Sequence, residues 1–301
     1  MTFSNCGIGL DFTTADDSGS ISLIDSYASN TGIVMKGAAS ALLENIRTTG
    51  SGPTLQVGDN ILVTGDTALV QKTFVYGHVY TNTSGPDVAS TGMFLPYTDR
   101  GELVDANGDY VYKAQPQYTS YGSNAFVSVK DVGARGDGQT DDTQAINAAL
   151  AANAGCKITY FPHGVYVVTD TIYVPPGSRI VGEVWSEISA SGAKFNSSAN
   201  PHVMVEVGKP GEVGVAEIQD MVFTTADVLE GAILVQVNMK GTNPGDVSFH
   251  NSHFRVGGAA GSRTETACQS QTTPCKAAFL LLHLGYAYAS PIITWLRLIS
   301  K

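Results

Sequence analysis

Two glutamates flank a tryptophan in residues 182–187, and side chains of these types could act on a sugar. Hydrolysis of a glycosidic bond needs one group that protonates the leaving oxygen and a second that activates water or attacks the sugar. Glu183 and Glu187 are therefore candidate catalytic acids. The indole of Trp185 could stack on a pyranose ring between them. The alternative interpretation is a loop that only covers the neighbouring strands.

A second candidate group lies in residues 248–255, which contain His250, His253 and Arg255. Because side chains alternate along a strand, His250 is expected on the face opposite to His253 and Arg255, unless a bulge intervenes. One such face could line a cleft and bind sugar hydroxyls. It is equally open that Asn251 belongs to an internal stack and that both histidines lie in turns.

The other acidic residues have structural interpretations. Asp137, Asp141 and Asp142 crowd a turn before a predicted helix, and aspartate is favoured at helix N-termini. His283 lies in an apolar strand and is expected to be a hydrogen-bonded core histidine. Three acidic residues at predicted strand ends are expected to be solvated: Glu206, Glu217 and Asp220.

Composition argues against several other functions. The net charge is -10 and no stretch clusters Lys and Arg, so a nucleic-acid partner is not expected. No Cys-x-x-Cys pair or His-rich spacing occurs, so we expect no metal site and no cofactor. No apolar run approaches the roughly 20 residues that span a bilayer, and no signal peptide follows Met1. A membrane partner is therefore not expected either.

Cysteines and glycosylation motifs bear on the compartment. Cys268 and Cys275 lie in a polar segment at a spacing suited to a small disulfide-closed loop, which requires an oxidising environment. The other two cysteines lie in apolar contexts. Asn82 and Asn196 each begin an Asn-x-Ser/Thr motif, and these motifs weakly favour secretion with glycosylation at both sites.

Short strands are the elements predicted to position these residues. Only 15% of the residues are charged, and Gly, Ser, Thr, Asn and Val are abundant, which favours strands over helical bundles. Asn5, Asp25 and Asn45 recur at intervals of 20 residues, and each is followed by an apolar strand led by glycine. Such a period is typical of a solenoid, whose coils bury their apolar faces by stacking. An antiparallel sandwich remains the alternative.

The pattern divides the chain into segments. Residues 1–80 carry the repeat, and residues 81–122 read as an extended linker. A second unit is predicted over residues 123–284, with a capping helix at residues 140–152. Residues 285–301 form a tail of different character.

Several runs carry a resemblance to known families. The strand, Gly-Asp-Gly turn, helix and Phe-Pro-x-Gly-x-Tyr sequence of residues 127–166 resembles the start of a pectate-lyase-like β-helix, where the helix plugs the end of the solenoid. A wider set of runs is similar to fungal family-55 glycoside hydrolases: residues 5–11, 156–162, 174–182, 251–258 and 277–284, with the Cys268/Cys275 loop.

This resemblance implies an all-β, right-handed parallel β-helix with a pectin-lyase-like fold. Residues 1–80 would be the C-terminal rungs of a first β-helix, and residues 123–284 the N-terminal part of a second in tandem. It further implies an extracellular, monomeric exo-acting enzyme that inverts the anomeric carbon and releases glucose from β-1,3-glucan. The polysaccharide is the implied partner, and no cofactor is implied.

The chain also departs from the family pattern. Met1 falls within a rung, residues 285–301 do not continue the family's rungs, and no residue here corresponds to the family's catalytic glutamate. The expectation is an internal fragment truncated before the catalytic acid, with its own catalytic residues unknown. Two alternatives stay open. One is a pectate-type lyase with aspartates around Ca²⁺, and the other is a non-catalytic glycan-binding or structural β-helix.

Overall fold

The computed structural model describes residues 1–13, 20–65, 69–70, 72–79, 88–96, 101–256, 263–268, 275–285, 292–294 and 297–300. The chain forms two compact units, Met1–Tyr110 and Val111–Lys301. Strands dominate both units, and the predicted all-β class is confirmed.

The strands of the first unit are short. They are β1 (Thr2–Ser4), β2 (Ile8–Asp11), β3 (Ser20–Ser29), β4 (Ile33–Lys36), β5 (Ser40–Thr49), β6 (Leu55–Val57), β7 (Asn60–Val63), β8 (Thr73–Val79) and β9 (Val88–Leu95). A 3-10 turn follows at Gly101–Leu103. Strands β1, β3 and β5 pair in parallel, as do β2, β4 and β6.

Polar corners join these stacked strands, but not in the predicted order. The Asn45 side-chain amide donates to the Asp25 carboxylate at 2.9 Å, as the interval of 20 residues predicts. Asn5 instead stacks on Asn30, whose amide donates to it at 2.8 Å, because the first turn of the stack is 25 residues long. Asn and Asp suit these corners because they tolerate the left-handed conformation, and all four have φ between 47° and 55°.

Glycine is required at a second corner of the first unit. A Cβ atom on Gly52 would lie 1.9 Å from the carbonyl oxygen of Gly32, and one on Gly32 would lie 2.5 Å from that of Gly7. The glycine-led strands of the sequence pattern therefore mark places where successive backbones approach too closely for any side chain.

The parallel stack gives way to antiparallel pairing before the end of this unit. Strand β8 pairs antiparallel with β5 and with β9, and β7 pairs antiparallel with β6. The linker prediction is therefore wrong for Val88–Leu95, which is a strand, and the units divide after Tyr110 rather than after residue 80. Small and polar residues, including Gly92, fill the middle of β9, and a Gly-Pro pair precedes it, so the sequence carries no clear strand signal here.

The second unit is a larger assembly of mostly parallel strands. They are β10 (Phe126–Ser128), β11 (Asp137–Asp141), β12 (Ile158–Phe161), β13 (Val165–Val168), β14 (Ile172–Val174), β15 (Ser178–Ala190), β16 (His202–Val207), β17 (Ala216–Thr225), β18 (Ala232–Val237), β19 (Val247–His250), β20 (His253–Val256), β21 (Leu280–Leu284), β22 (Ile292–Thr294) and β23 (Arg297–Ser300). Helices are α1 (Thr143–Asn153) and α2 (Arg263–Ala267), with 3-10 turns at Ser123–Ala125, Val129–Val132 and Ala193–Phe195.

Parallel sheets in this unit enclose an apolar core. One sheet runs β10-β12-β15-β17-β19-β22 and another runs β14-β16-β18-β21. Aromatic rings fill the space between them, with Phe223 and Phe254 centroids 5.2 Å apart and Phe161 and Tyr166 centroids 5.3 Å apart. Helix α1 packs on this core through Ile146, one of its buried residues.

The turn before α1 differs from the predicted cap. The helix begins at Thr143, not at residue 140, because Asp137–Asp141 is a strand paired with β13. Asp142 occupies the N-cap position, but its carboxylate accepts the backbone N–H of Arg135 at 2.7 Å and of Gly136 at 2.9 Å. The carboxylate of Asp142 thus fixes the preceding loop, while the Asp141 carboxylate accepts the backbone N–H of Thr143 at 3.1 Å.

Asp137 makes the stability of this turn depend on pH. The backbone N–H groups of Thr140 and Gln139 donate to its carboxylate and lower its pKa from the usual 3.8 to about 2. Because the folded-state pKa is depressed, this stabilisation is complete above pH 3.8 and is lost as the pH falls towards 2. We expect Asp137→Asn to flatten the dependence of the melting temperature on pH between those pH values, relative to the parent chain. An unchanged slope in Asp137→Asn contradicts the assignment.

Candidate functional site

An ion pair on the outer face of the second unit joins two of the predicted site residues. The Arg255 guanidinium donates to the Glu187 carboxylate at 2.8 Å, and both side chains are about three-quarters buried. Glu187 is aligned with Val222 of β17, which is aligned in turn with His253 of β20. The ion pair therefore reaches from β15 across β17 to β20 and ties three strands together.

Trp185 lies in a bulge of β15, two residues before Glu187. The register of β15 against β17 shifts between Val181 and Ser186, so residues 183–185 leave the sheet. Val184 and Trp185 have positive φ values of 20° and 73°, and both side chains are more than half exposed. Bulges commonly re-aim a side chain at a functional surface. Stacking on a sugar ring requires an exposed aromatic side chain, and Trp185 meets this requirement.

The surroundings of Glu183 do not suit a proton donor. Its carboxylate accepts the backbone N–H of His163 at 2.8 Å. This hydrogen bond, followed by that from the Tyr160 hydroxyl, lowers the pKa of Glu183. A general acid needs a carboxyl group that keeps its proton near the working pH. The structure thus gives Glu183 the environment of an ionised, loop-anchoring side chain.

The two histidines of residues 248–255 belong to different environments. Asn251 has a φ of 46° and ends β19, so the chain turns before β20 begins. His253 is half-buried next to Arg255 on β20, whereas His250 is only 2% exposed. Burial lowers the pKa of His250, and the charge of Lys113 lowers it further. The charges of Glu217 and Asp220 act in the opposite direction and raise it. Glu187, His253 and Arg255 lie on neighbouring strands, and Trp185 is exposed in the bulge two residues before Glu187. We call these four residues the candidate surface, and buried His250 is not part of it.

Asn251 joins the internal polar stack that was the alternative prediction. Its side-chain amide donates to Asp220 at 2.6 Å, and the amide of Gln115 donates to the other oxygen of the same carboxylate at 3.2 Å. Asp220 has a φ of 60°, so it repeats the left-handed corner seen at Asp25 in the first unit. The predicted solvation of Asp220 is therefore wrong.

Glu217 is a buried carboxylate that the sequence did not indicate. It is 8% exposed, and residues 113–121, which we call the strap, cover it. Its oxygens lie 3.3 Å from Lys113 Nζ and 3.4 Å from Arg179 Nε, and the Tyr118 hydroxyl donates to it at 3.0 Å. The prediction that Glu217 is solvated is wrong, because alternation along β17 identifies an outward side chain but not the strap that covers it. Glu206, the third of that group, is half-buried and accepts from the amide of Asn238 at 2.9 Å.

The remaining predicted residues lie apart from the candidate surface. Cys268 and Cys275 are joined by a disulfide with Cα atoms 5.6 Å apart. Asn196 is exposed after a 3-10 turn, and Asn82 lies outside the described residues. His283 is exposed at the strand end, so the prediction of a core histidine is wrong, and its Nδ1 lies 3.1 Å from the amide oxygen of Gln236.

Among the residues that the structure describes, no three His, Cys, Asp or Glu side chains group in a way that could hold a metal ion. None of the described helices is both long and apolar enough to cross a bilayer.

Comparisons with known proteins cover nearly the whole chain. A family model described as rhamnogalacturonase A/epimerase, pectate lyase-like, matches residues 126–271. A glucan endo-1,3-β-glucosidase from Trichoderma harzianum is 37% identical over 302 residues, 97% of this chain and 38% of the relative. A glucan 1,3-β-glucosidase from Cochliobolus carbonum is 39% identical over 236 residues, 77% of this chain and 29% of the relative.

A further relative carries a different name. A non-secreted LysM effector from Penicillium expansum is 36% identical over 298 residues, 92% of this chain and 23% of the relative. The chain thus spans between 23% and 38% of the length of these three relatives.

Proposed function

Because the chain belongs to a pectate-lyase-like family that includes fungal relatives named β-1,3-glucosidases, we propose that its protein is a glycoside hydrolase acting on β-1,3-glucan. The observation that carries the proposal is the 37% identity to the Trichoderma enzyme over 97% of this chain. The stacked parallel sheets then belong to right-handed β-helices, the end of one and the start of a second. The exo mode, with inversion and release of glucose, is part of the same proposal.

The candidate surface supplies binding contacts in this proposal. The exposed face of Trp185 stacks on a glucosyl ring, and the charged pair of Glu187 and Arg255 with His253 offers donors and acceptors to its hydroxyl groups. The Arg255 Nε atom is buried and has no hydrogen-bond partner in the part of the chain that the structure describes. A donor of this kind favours a ligand oxygen over an empty surface.

The proton donor is proposed to lie outside these 301 residues. Hydrogen bonds that anchor a loop lower the pKa of Glu183, and the Glu187 carboxylate is bound by the Arg255 guanidinium, so both side chains already have structural partners. Inverting hydrolysis needs a protonated carboxyl group and a second carboxylate about 6.5–9.5 Å away, with water between them. The 301-residue chain is thus a glucan-binding part of the enzyme in this proposal.

Laminarin tests the proposal directly. We expect the purified 301-residue chain to bind laminarin without releasing glucose, and a longer form that includes the family's catalytic glutamate to release glucose as its first product. Release of mixed oligosaccharides at early times assigns an endo mode instead. Failure of both forms to bind or cleave laminarin contradicts the proposal. Turnover by the short form that is lost in Glu187→Gln contradicts the placement of the acid.

A lyase is the second candidate, because the matching family model is described as pectate lyase-like. A lyase that uses Ca²⁺ would cleave polygalacturonate, form unsaturated products and lose activity on chelation. Absorbance of those products, with and without chelator, separates this reaction from glucan hydrolysis. Laminarin binding without turnover by any form favours the third candidate, a non-catalytic glycan-binding protein.

The extracellular location, the monomeric state and glycosylation at Asn82 and Asn196 remain proposals. Asn196 is exposed, as an acceptor must be. The Penicillium relative is named non-secreted, so location needs its own measurement. Expression of the gene in a fungal host, with separate analysis of culture fluid and cell extract, decides it.

Trp185→Ala is expected to weaken laminarin binding about tenfold. Loss of an aromatic stacking partner removes about 1 kcal/mol or more, and about 1.4 kcal/mol corresponds to tenfold. The matched control is Tyr112→Ala, because Tyr112 is an aromatic residue of the same unit that is 76% exposed. Calorimetric titration of both variants checks the prediction, and equal affinities exclude Trp185 from the binding surface.

A further inference from the structure

Four polar side chains on the outer face of the second unit are buried. Glu217 and Gln219 lie on β17, and Ser248 and His250 are aligned with them on β19. Ile218, between the first two, points into the apolar core, so the polar pair points the other way. All four polar residues are nonetheless no more than 8% exposed.

The strap covers the Glu217 end of this polar face, and β22 pairs with β19 beside Ser248 and His250. Lys113 and Tyr118 contact Glu217, and Gln115 contacts the adjacent corner residue Asp220. The ring of Tyr121 lies over the Arg179 guanidinium, 5.7 Å from centroid to carbon. An extended segment without helix or strand is therefore held on the sheet by charged and polar contacts.

Two polar atoms on this face lack partners. The side-chain oxygens Gln219 Oε1 and Ser248 Oγ are buried and have no hydrogen-bond partner in the described part of the chain. Gln219 is 3% exposed and Ser248 has no exposed surface. A buried polar atom left unsatisfied costs about 1–3 kcal/mol, and native structures nearly always satisfy such atoms. Gln219 is aligned with His250 and Ser248 with Glu217, so the two side chains are diagonal neighbours on adjoining strands, within reach of one small group between them.

We propose that the face beneath the strap is a binding site for a hydroxyl group, held by Gln219 and Ser248. A hydroxyl can donate to the amide oxygen of Gln219 and exchange a second hydrogen bond with the serine hydroxyl. The hydroxyl belongs either to an enclosed water molecule or to a sugar that enters when the strap lifts. This site is formed by other residues than the candidate surface, and its existence does not depend on glucan hydrolysis.

The charges around the site favour a neutral ligand. The Glu217 carboxylate already has two cationic partners, Lys113 and Arg179. Burial lowers the pKa of His250, which favours the neutral imidazole. An added anion or cation would be uncompensated in this enclosed space, whereas a hydroxyl adds hydrogen bonds and no charge.

Two variants test the site by removing one polar atom each. Ser248→Ala and Gln219→Met are expected to raise the unfolding equilibrium constant about tenfold, because each leaves the bound hydroxyl with one partner fewer. Ser186→Ala calibrates the effect, because Ser186 is fully buried and its hydroxyl donates to the Phe161 carbonyl at 2.7 Å. Urea unfolding of the 301-residue chain is the measurement. Variants as stable as the parent overturn the proposal, since removal of an unpaired atom is neutral or stabilising.

Direct observation keeps the test decisive if a variant fails to fold. A high-resolution crystal structure of the unsubstituted chain should contain an ordered oxygen within about 3.2 Å of both side-chain oxygens. Empty density there overturns the proposal. Titration with laminaribiose distinguishes the two sources of the hydroxyl. A rise in melting temperature that Ser248→Ala abolishes assigns it to the sugar, and no rise assigns it to water.

Discussion

Replacing Glu217 by alanine is expected to lower the free energy of unfolding of the second unit by about 3 kcal/mol. The substitution removes a carboxylate that is paired with Lys113 and Arg179 and accepts a hydrogen bond from Tyr118. Breaking a buried ion pair on one side leaves the other charge desolvated and unpaired, which costs more than the pair itself contributes. The side chains of Lys113 and Arg179 are still 35% and 25% exposed, so water can solvate both charges after the substitution. We therefore expect a loss at the lower end of the roughly 3–5 kcal/mol that breaking a buried pair costs.

Chemical denaturation with a matched control checks this value. Glu230→Ala removes an exposed glutamate of the same unit and is expected to change stability by less than about 0.5 kcal/mol. Tyr118→Phe removes one hydrogen bond and is expected to cost about 1–1.5 kcal/mol. The double variant should cost less than the sum of the two, because the phenol and the carboxylate are partners. Equal stability of Glu217→Ala and the parent contradicts the buried-network assignment.

The sequence predicts the types of corner residue well and their order less well. Asn5, Asp25 and Asn45 are left-handed corners, as an Asn/Asp period suggests. Their stacking order depends on the length of each turn, which is 25 residues at first and 20 afterwards. Turn length has no residue signature of its own, so the sequence does not indicate that Asn30 is the neighbour of Asn5.

Burial of outward side chains is the harder property to predict. Alternation places Glu217 on the outer face, and an outer face normally reads as solvated. Its cover comes from Tyr118, 99 residues earlier in the chain, and this contact has no local signature. Glu44 repeats the situation in the first unit, where it is 5% exposed and accepts from the hydroxyls of Thr73 and Tyr110. A connector rich in tyrosine beside acidic strands is the pattern that could have indicated both.

The sequence indicates which residues form the candidate surface, but not how their side chains are arranged in space. Residue type alone indicates Trp185, Glu187 and Arg255, but it does not indicate the ion pair, whose two members are 68 residues apart. Gly182 gives the one local indication of the bulge, because a Cβ atom there would lie 2.2 Å from the carbonyl oxygen of Asp220. Close approach of two backbones at this point directs residues 183–185 away from the sheet and exposes the indole.

Asp142→Ala is expected to cost the second unit about 3 kcal/mol, although the residue caps no helix through its side chain. The 1% exposed carboxylate accepts backbone hydrogen bonds from Arg135 and Gly136, and each such bond to a charged group contributes about 1.5–3 kcal/mol. Asp142→Asn keeps one acceptor oxygen and should lose about half as much. The exposed Asp131→Ala is the control and should be nearly neutral. Urea unfolding measures all three, and a loss below about 1 kcal/mol in Asp142→Ala contradicts the role of this carboxylate in fixing the loop that leads into α1.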